Sequence, residues 1–513
     1  MNNIKNNKYS YFLKLFSFIK SQPETYIIVL FSSATIVLVT VATSLKVAAP
    51  FLFLLALFLS SRFKSLFLGF FLMAIYSLQF YSPHKYYSVT AIEGYEIENT
   101  LFNEGRVISY GVNLSNIFLI FSAGFMISEV IKSHKNIVSY LWRPLLKHIL
   151  FATLFLIIGI GGALLYSPYF ALSAVWTLQN SQIFLVAILI FYFYIIHKDK
   201  FKLFFSVVTF SLFLQFALSA IQFLVQSSLG LSIEAGAGRQ IYYALDEVRS
   251  LFRVQGTFAV HNELAFVIII YSVIIIPQAL EKKKILYFSG LAAGFASLIM
   301  TQSRANWLAY AILIFMTALF FSKEIKVLFK KSFFKRGILY IGLILSVLSY
   351  IIIPRFILSF NAPLENAGLS LRTKMITEGL EAFFLNPFLG YGSGTNEVTL
   401  LSLFPDGIMK LFPYPVHQGH LHFLLEYGIV GAVFFVLPFY LVARRIINLV
   451  ARKSTYFGSH KNFIFCYFIG IVLVNLYYSF QNHFGILEFP FVGLILGMGL
   501  IAAYSEFFNI KMQ

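Results

Sequence analysis

Apolar stretches long enough to cross a bilayer recur along almost the whole chain, and that recurrence restricts the fold more than any other feature. They fall at about 26–45, 47–61, 65–82, 112–131, 148–166, 180–196, 203–227, 257–280, 285–302, 307–322, 337–353, 421–443, 462–482 and 486–504. A backbone in lipid must satisfy its own hydrogen bonds, so runs of about 20 apolar residues become helices. With 59% hydrophobic and only 12% charged residues, the chain fits no soluble class. The alternating strands of an outer-membrane barrel are not its pattern. The expected fold is all-α: a polytopic transmembrane helical bundle of about 12–14 spans, with a large periplasmic loop carrying short helices.

Basic residues set the expected orientation. Clusters at Lys5/Lys8/Lys14/Lys20, Arg62/Lys64, Lys132/Lys135/Arg143/Lys147, Lys198/Lys200/Lys202, Lys282 to Lys284, Lys323 to Arg336 and Arg444/Arg445/Arg452/Lys453 occupy every second connection, as the positive-inside rule asks. Most of the net charge of +18 is therefore read as topological flanks, with membrane lipid and not nucleic acid as the partner. Both termini then face the cytoplasm, and the long connections at about 83–111, 228–256 and 354–420 face outward. The chain divides into a cytoplasmic tail (1–25), a transmembrane bundle with periplasmic loops (26–353), a large periplasmic loop (354–420), and the last helices with a short tail (421–513). No cleavage-type small-residue site follows the first apolar run, so the tail is expected to be retained. Cys466, the single cysteine, lies in an apolar run and is expected to pack as a small hydrophobe.

Polar chemistry gathers where the last long loop meets a helix. His417, His420 and His422 stand just ahead of or inside the apolar run that begins at Leu421. Imidazole titrates near neutrality, so a histidine at the lip of a membrane cavity suits a general base; interfacial anchoring is the alternative. His422 lies four residues before Glu426, a helical spacing that pairs the two, and as an exposed pair it is worth about 0.2–0.5 kcal/mol. Upstream, Leu371 to Phe384 has helical periodicity and stops before Asn386-Pro387. Gly390-Tyr-Gly-Ser-Gly394 then reads as a turn, or as backbone free to approach an anion.

Outward arginines run against the positive-inside bias. Arg249 and Arg253 precede the run at 257, Arg304 sits in the tight connection Thr301-Gln-Ser-Arg-Ala-Asn306, and Arg372 lies in the large loop. Their planar forks suit a diphosphate, whereas Arg249 and Arg355 read as headgroup anchors. Metal binding is the weaker option. The three histidines lack a His-Glu-x-x-His pattern, and Glu96-Ile-Glu98 is a single acidic pair.

These residues together resemble the O-antigen ligase and O-antigen polymerase superfamily of bacterial inner-membrane glycosyltransferases. Arg253-Val-Gln-Gly-Thr-Phe258 with Asn262 is similar to the family's Arg-x-x-Gly segment ahead of an Asn-bearing helix, and Thr301-Gln-Ser-Arg304 to its Ser-Arg turn. Leu371-Arg372, Asn386-Pro-Phe-Leu-Gly-Tyr-Gly-Ser-Gly394 and His417-Gln-x-x-Leu421-x-x-Leu-x-Glu426-x-Gly428-Ile-x-Gly431 resemble the shared carboxy-terminal block in order and spacing. Two positions depart: Gln418 where Asn is usual, and His261 where Pro often precedes the Asn. The resemblance implies transfer of a glycan from undecaprenyl diphosphate to a sugar hydroxyl at the periplasmic face, by a metal-independent, inverting displacement without cofactor. It also implies roles: His417 as catalytic base, Arg253, Arg304 and Arg372 on the diphosphate, and Gln418, Glu426 and Asn262 in support. The acceptor is another lipid-linked glycan for a polymerase or lipid A-core for a ligase. The span count and the long 354–420 connection lean towards polymerase. From another class, a lipid-linked sugar flippase would place ionisable groups at the bilayer midplane in repeated halves; here the candidates cluster outward and no repeat is visible.

Overall fold

The computed structural model describes residues 23–41, 45–80, 84–90, 107–112, 114–132, 135–167, 169–231, 241–244, 247–250, 253–258, 260–329, 367–411, 416, 418–452, 455–480 and 489–505. The apolar runs become helices in order: α1 (Pro23–Val41), α2 (Leu45–Phe63), α3 (Leu66–Ser77), α4 (Leu114–Lys132), α5 (Lys135–Tyr166), α6 (Phe170–Asn180), α7 (Gln182–Ile196) and α8 (Lys202–Val225). Then follow α9 (His261–Lys282), α10 (Ile285–Met300), α11 (Arg304–Phe320) and α12 (Ser322–Phe329). After the long loop come α13 (Ala367–Leu385), α14 (Asn396–Leu403), α15 (Ile408–Leu411), α16 (Gly419–Arg452), α17 (Tyr456–Phe480) and α18 (Phe489–Tyr504). Among the described residues seven helices are long and apolar enough to span a membrane, or eight if the bent pair α11–α12 is one span, with four shorter apolar helices besides. The protein is thus a multi-pass helical membrane protein. The run at 337–353 lies outside the described residues.

Helix α9 is the axis of the bundle. Its whole spanning window is buried, and it packs against α8, α10, α11, α17 and α18. Its side chains from Leu264 to Ile276 are almost all apolar on every face, the pattern of a helix with no solvent or lipid side. Twenty-two residues at about 1.5 Å each carry it roughly 33 Å, a full hydrocarbon thickness, from His261 to Lys282. At the Lys282 end, three connections meet around a cleft of about 580 Å³ whose lining includes Lys198, Lys202, Lys282, Lys461, Glu281 and Glu324. Lys461 pairs with Glu324 at 2.9 Å there. Of the basic clusters assigned to one side by their alternation, those at Lys198/Lys200/Lys202 and at Lys282 to Lys284 thus meet at one end. Cys466 is buried as expected, its Sγ 3.4 Å from the Val273 carbonyl.

Two features add to the all-helical expectation. The connections at 83–111 and 228–256 contain short antiparallel hairpins, β1 (His84–Thr90) with β2 (Val107–Val112), and β3 (Ile241–Ala244) with β4 (Glu247–Ser250). Arg249 lies on β4 opposite Tyr242, while Glu96, Glu98 and Arg355 lie outside the described residues. The surface helix expected over 371–384 is α13, and it does end just before Asn386-Pro387. Met375 and Ala382 of α13, Leu400 and Leu401 of α14, and Ile408 and Met409 form a small core of their own. Val416, Leu421 and Leu425 belong to it, so the loop and the first turns of α16 are one packed unit.

Candidate active site

The arginine-bearing loop before α9 is buried but not helical, so its backbone needs partners other than a helical ladder. Two glutamines two turns apart on α8 supply them. Gln222 Oε1 accepts from the amides of Gln255 (3.1 Å) and Gly256 (2.9 Å), and its Nε2 donates to the Gly256 carbonyl at 2.8 Å. Gln215 accepts from the Thr257 amide at 3.2 Å and donates to its hydroxyl at 2.8 Å; that hydroxyl donates in turn to the Gln79 carbonyl. Gly256 has φ +57°, and a Cβ there would overlap Gln215 Oε1, so only glycine fits.

The stapled loop delivers Arg253 to the start of α9. Arg253 is 8% exposed, and its Nη1 lies 2.7 Å from His261 Nε2. The next residue, Asn262, accepts from the Ser303 hydroxyl at 2.9 Å, and Asn306 donates to the same hydroxyl at 2.9 Å. Trp307 Nε1 closes this turn onto the Leu298 carbonyl at 3.0 Å. Arg304 is the first residue of α11 and is exposed. Three of the residues singled out in the sequence, Arg253, Asn262 and Arg304, are thereby joined through His261 and Ser303 into one set at one end of the bundle.

The second cluster surrounds Glu426. Helix α16 breaks at Gly428, whose φ of 62° and ψ of −176° lie outside helical space. Segment 386–394 fills the break: the amides of Tyr391 and Gly392 donate to the carbonyls of Leu425 (2.8 Å) and Glu426 (3.0 Å), and those of Ile429 and Val430 donate to Pro387 (2.8 Å) and Phe388 (3.1 Å). Glu426, 3% exposed, accepts from the Gly394 amide at 2.7 Å, the Ser393 hydroxyl at 3.1 Å and His422 at 2.8 Å. Backbone amide does approach an anion at the glycine-rich turn, and the anion is this carboxylate. Tyr427 hydroxyl donates to Ser393 Oγ at 2.9 Å, Asn180 Nδ2 donates to it at 3.1 Å, and the Ser173 hydroxyl donates to the Ser393 carbonyl at 2.6 Å. The His422–Glu426 pair occurs at the spacing expected. The expectation that it is exposed is corrected: both side chains are 4% exposed or less, because segment 386–394 covers them.

Gln418 caps α16, its Oε1 accepting from the Leu421 amide. His417 lies outside the described residues. Its neighbours on both sides are held, Gln418 by that cap and Val416 by a bond from its amide to Asn396 Oδ1 at 3.1 Å. Arg372 is exposed on α13, which packs against α16. Glu378 of the same helix accepts from the Ile408 amide at 2.8 Å, and burial, helped by nearby Glu381, raises its carboxyl above the ordinary range despite that bond. His420 bonds Ser479 at 3.2 Å while His422 turns to Glu426, so the two histidines face different partners. Beside His420 an apolar groove of about 330 Å³ runs between α16, α17 and α18, past Phe423, Phe435, Tyr478 and Val492.

Compared with known families, residues 289–436 match the family model described as O-antigen ligase. The match supports the resemblance to the O-antigen ligase and polymerase superfamily over that stretch, which holds Arg304, Arg372, His417, Gln418 and Glu426; Arg253 and Asn262 precede it. Against curated proteins the chain finds no match.

Proposed function

We propose that this chain, with an O-antigen ligase match over residues 289–436, transfers a glycan from undecaprenyl diphosphate to a sugar hydroxyl at the end of the bundle that carries Arg253 and Arg304. The observation that carries this reading is the His261–Asn262 link, which ties the loop of one buried arginine and the turn of one exposed arginine to the same helix start. Guanidinium forks at such a place suit an oxyanion group that gains charge as it leaves. In the reaction, the sugar C1–O bond to the diphosphate breaks with its electron pair going to the diphosphate, which Arg253, Arg304 and Arg372 stabilise. The acceptor oxygen attacks C1 from the opposite face, and its proton passes to His417. One displacement inverts the anomeric centre and requires no carboxylate nucleophile. The commitment of Glu426 to three donors inside the fold supports that assignment. The apolar groove beside His420 offers a prenyl chain a lodging along the first half of α16. By the basic-residue alternation this end is periplasmic in the bacterial inner membrane.

The test is transfer by purified protein from a synthetic undecaprenyl-diphosphate glycan, offered a second lipid-linked repeat unit or lipid A-core. Product with released undecaprenyl diphosphate is expected, and the acceptor consumed tells polymerase from ligase. His417→Ala should reduce the rate by about a hundred- to ten-thousand-fold, the usual contribution of a general base. Movement of intact donor across a liposome membrane with no new glycosidic bond would replace this reading by a flippase.

A further inference from the structure

Adjacent residues at the start of α9 grip both arginine-bearing segments, Asn262 through Ser303 and His261 through Arg253 itself. His261 is 5% exposed, in contact with an arginine that is 8% exposed. We propose that His261 is a positioning residue, which aims the Arg253 fork at the anionic group of the substrate while Asn262 holds the turn that carries Arg304. The inference rests on the donor class proposed above.

Guanidinium donates and never accepts, so in the 2.7 Å contact the ring nitrogen must be the acceptor. His261 is therefore neutral in this arrangement, with Nε2 bare and the proton on Nδ1. That Nδ1 is buried without a hydrogen-bond partner among the described residues. A residue kept only to fill space would not leave a polar atom in that state, since an apolar side chain of similar volume avoids the penalty of an unpaired buried donor. The imidazole is accounted for by what it does to Arg253. One guanidinium nitrogen is held by an uncharged acceptor, so this contact orients the fork without itself offsetting the cation's charge. A carboxylate in the same place would fix the plane and cancel the charge. Because α9 is buried along its whole spanning window, the positions of His261 and Asn262 relative to each other are rigid. The spacing between the Arg253 loop and the Arg304 turn is thus set by one helical step.

Affinity of the full chain in detergent for undecaprenyl diphosphate, measured by titration calorimetry, tests this in a cycle of His261→Leu, Arg253→Ala and the double variant, with His261→Gln as the conservative change. His261→Leu should weaken binding about ten- to a hundredfold, the worth of a hydrogen bond to a charged group. Gln, which offers an amide oxygen, should restore most of the affinity. In the Arg253→Ala background His261→Leu should have no further effect, an outcome that a purely structural role does not produce. Equal losses in both backgrounds would overturn the proposal and leave the functional reading standing. Failure of the wild-type chain to bind would overturn both. Should Leu and Gln variants alike fail to give monodisperse protein, His261 is a packing residue and the proposal falls.

Discussion

Arg304 and His422 show how the surroundings of a single side chain decide what its replacement costs. Arg304→Lys keeps the charge but replaces a planar fork by a point donor, so a role on a diphosphate predicts severe loss of transfer at matched protein level. A headgroup anchor would tolerate lysine, and an unchanged glycan product from Arg304→Lys would return this residue to that role. For His422 the structure raises the stakes. As an exposed helical pair its loss would be minor, but here it is one of three donors to a buried carboxylate. Removing it should cost about 1–3 kcal/mol of stability, because Ser393 and the Gly394 amide still serve the anion. His422→Ala should therefore lower the thermal midpoint in detergent while the folded fraction retains a rate within about tenfold of wild type. A folded His422→Ala that is as inactive as His417→Ala would move the general base from 417 to 422. The spacing of His422 and Glu426 was readable from the chain; their burial was not, since the segment that covers them lies some thirty residues upstream and no local pattern connects the two.

Elements were legible where lipid dictates them. Each apolar run within the described residues is a helix, because the backbone in a bilayer has little choice. The two hairpins escaped notice since their strands are as short as four residues and stand in connections with no sustained alternation. Gln215 and Gln222 also escaped. A pair of polar residues in an apolar span reads as tolerated, and only the fold shows that they hold a loop more than thirty positions away. The break in α16 belongs to the same class, as its helical pattern runs straight through Gly428. There a Cβ would overlap the Phe388 carbonyl oxygen, on top of a left-handed φ. Gly428→Ala should undock segment 386–394, with easier chymotryptic cleavage at Tyr391 and a lower thermal midpoint. Gly124→Ala, where a Cβ meets nothing within 4 Å, is the control and should be neutral. Equal protease resistance of both variants would show that the docking does not depend on the glycine.

At the scale of the molecule, the two ends of α9 set the expected sidedness. Lys282 and its neighbours share one cleft, and Arg253, Asn262 and Ser303 share the other end. In intact cells an impermeant thiol reagent should label single cysteines at positions 304, 372 and 417 and spare those at 283 and 445, in a Cys466→Ser background. The reverse pattern would invert the protein in its membrane and remove the proposed chemistry from the periplasm. The break in α16 has a further meaning for how such a chain is made. The two helical bonds lost at the break leave four backbone groups, the carbonyls of Leu425 and Glu426 and the amides of Ile429 and Val430, which residues 387–392 satisfy, and those residues leave the ribosome before α16 does. The partner for an otherwise costly gap in a lipid-embedded helix is therefore already synthesised when the gap arrives, so order of synthesis and order of assembly agree. Moving 386–394 to a point after α16 by circular permutation would reverse that order and ask the membrane to hold an unfinished helix until its patch was translated.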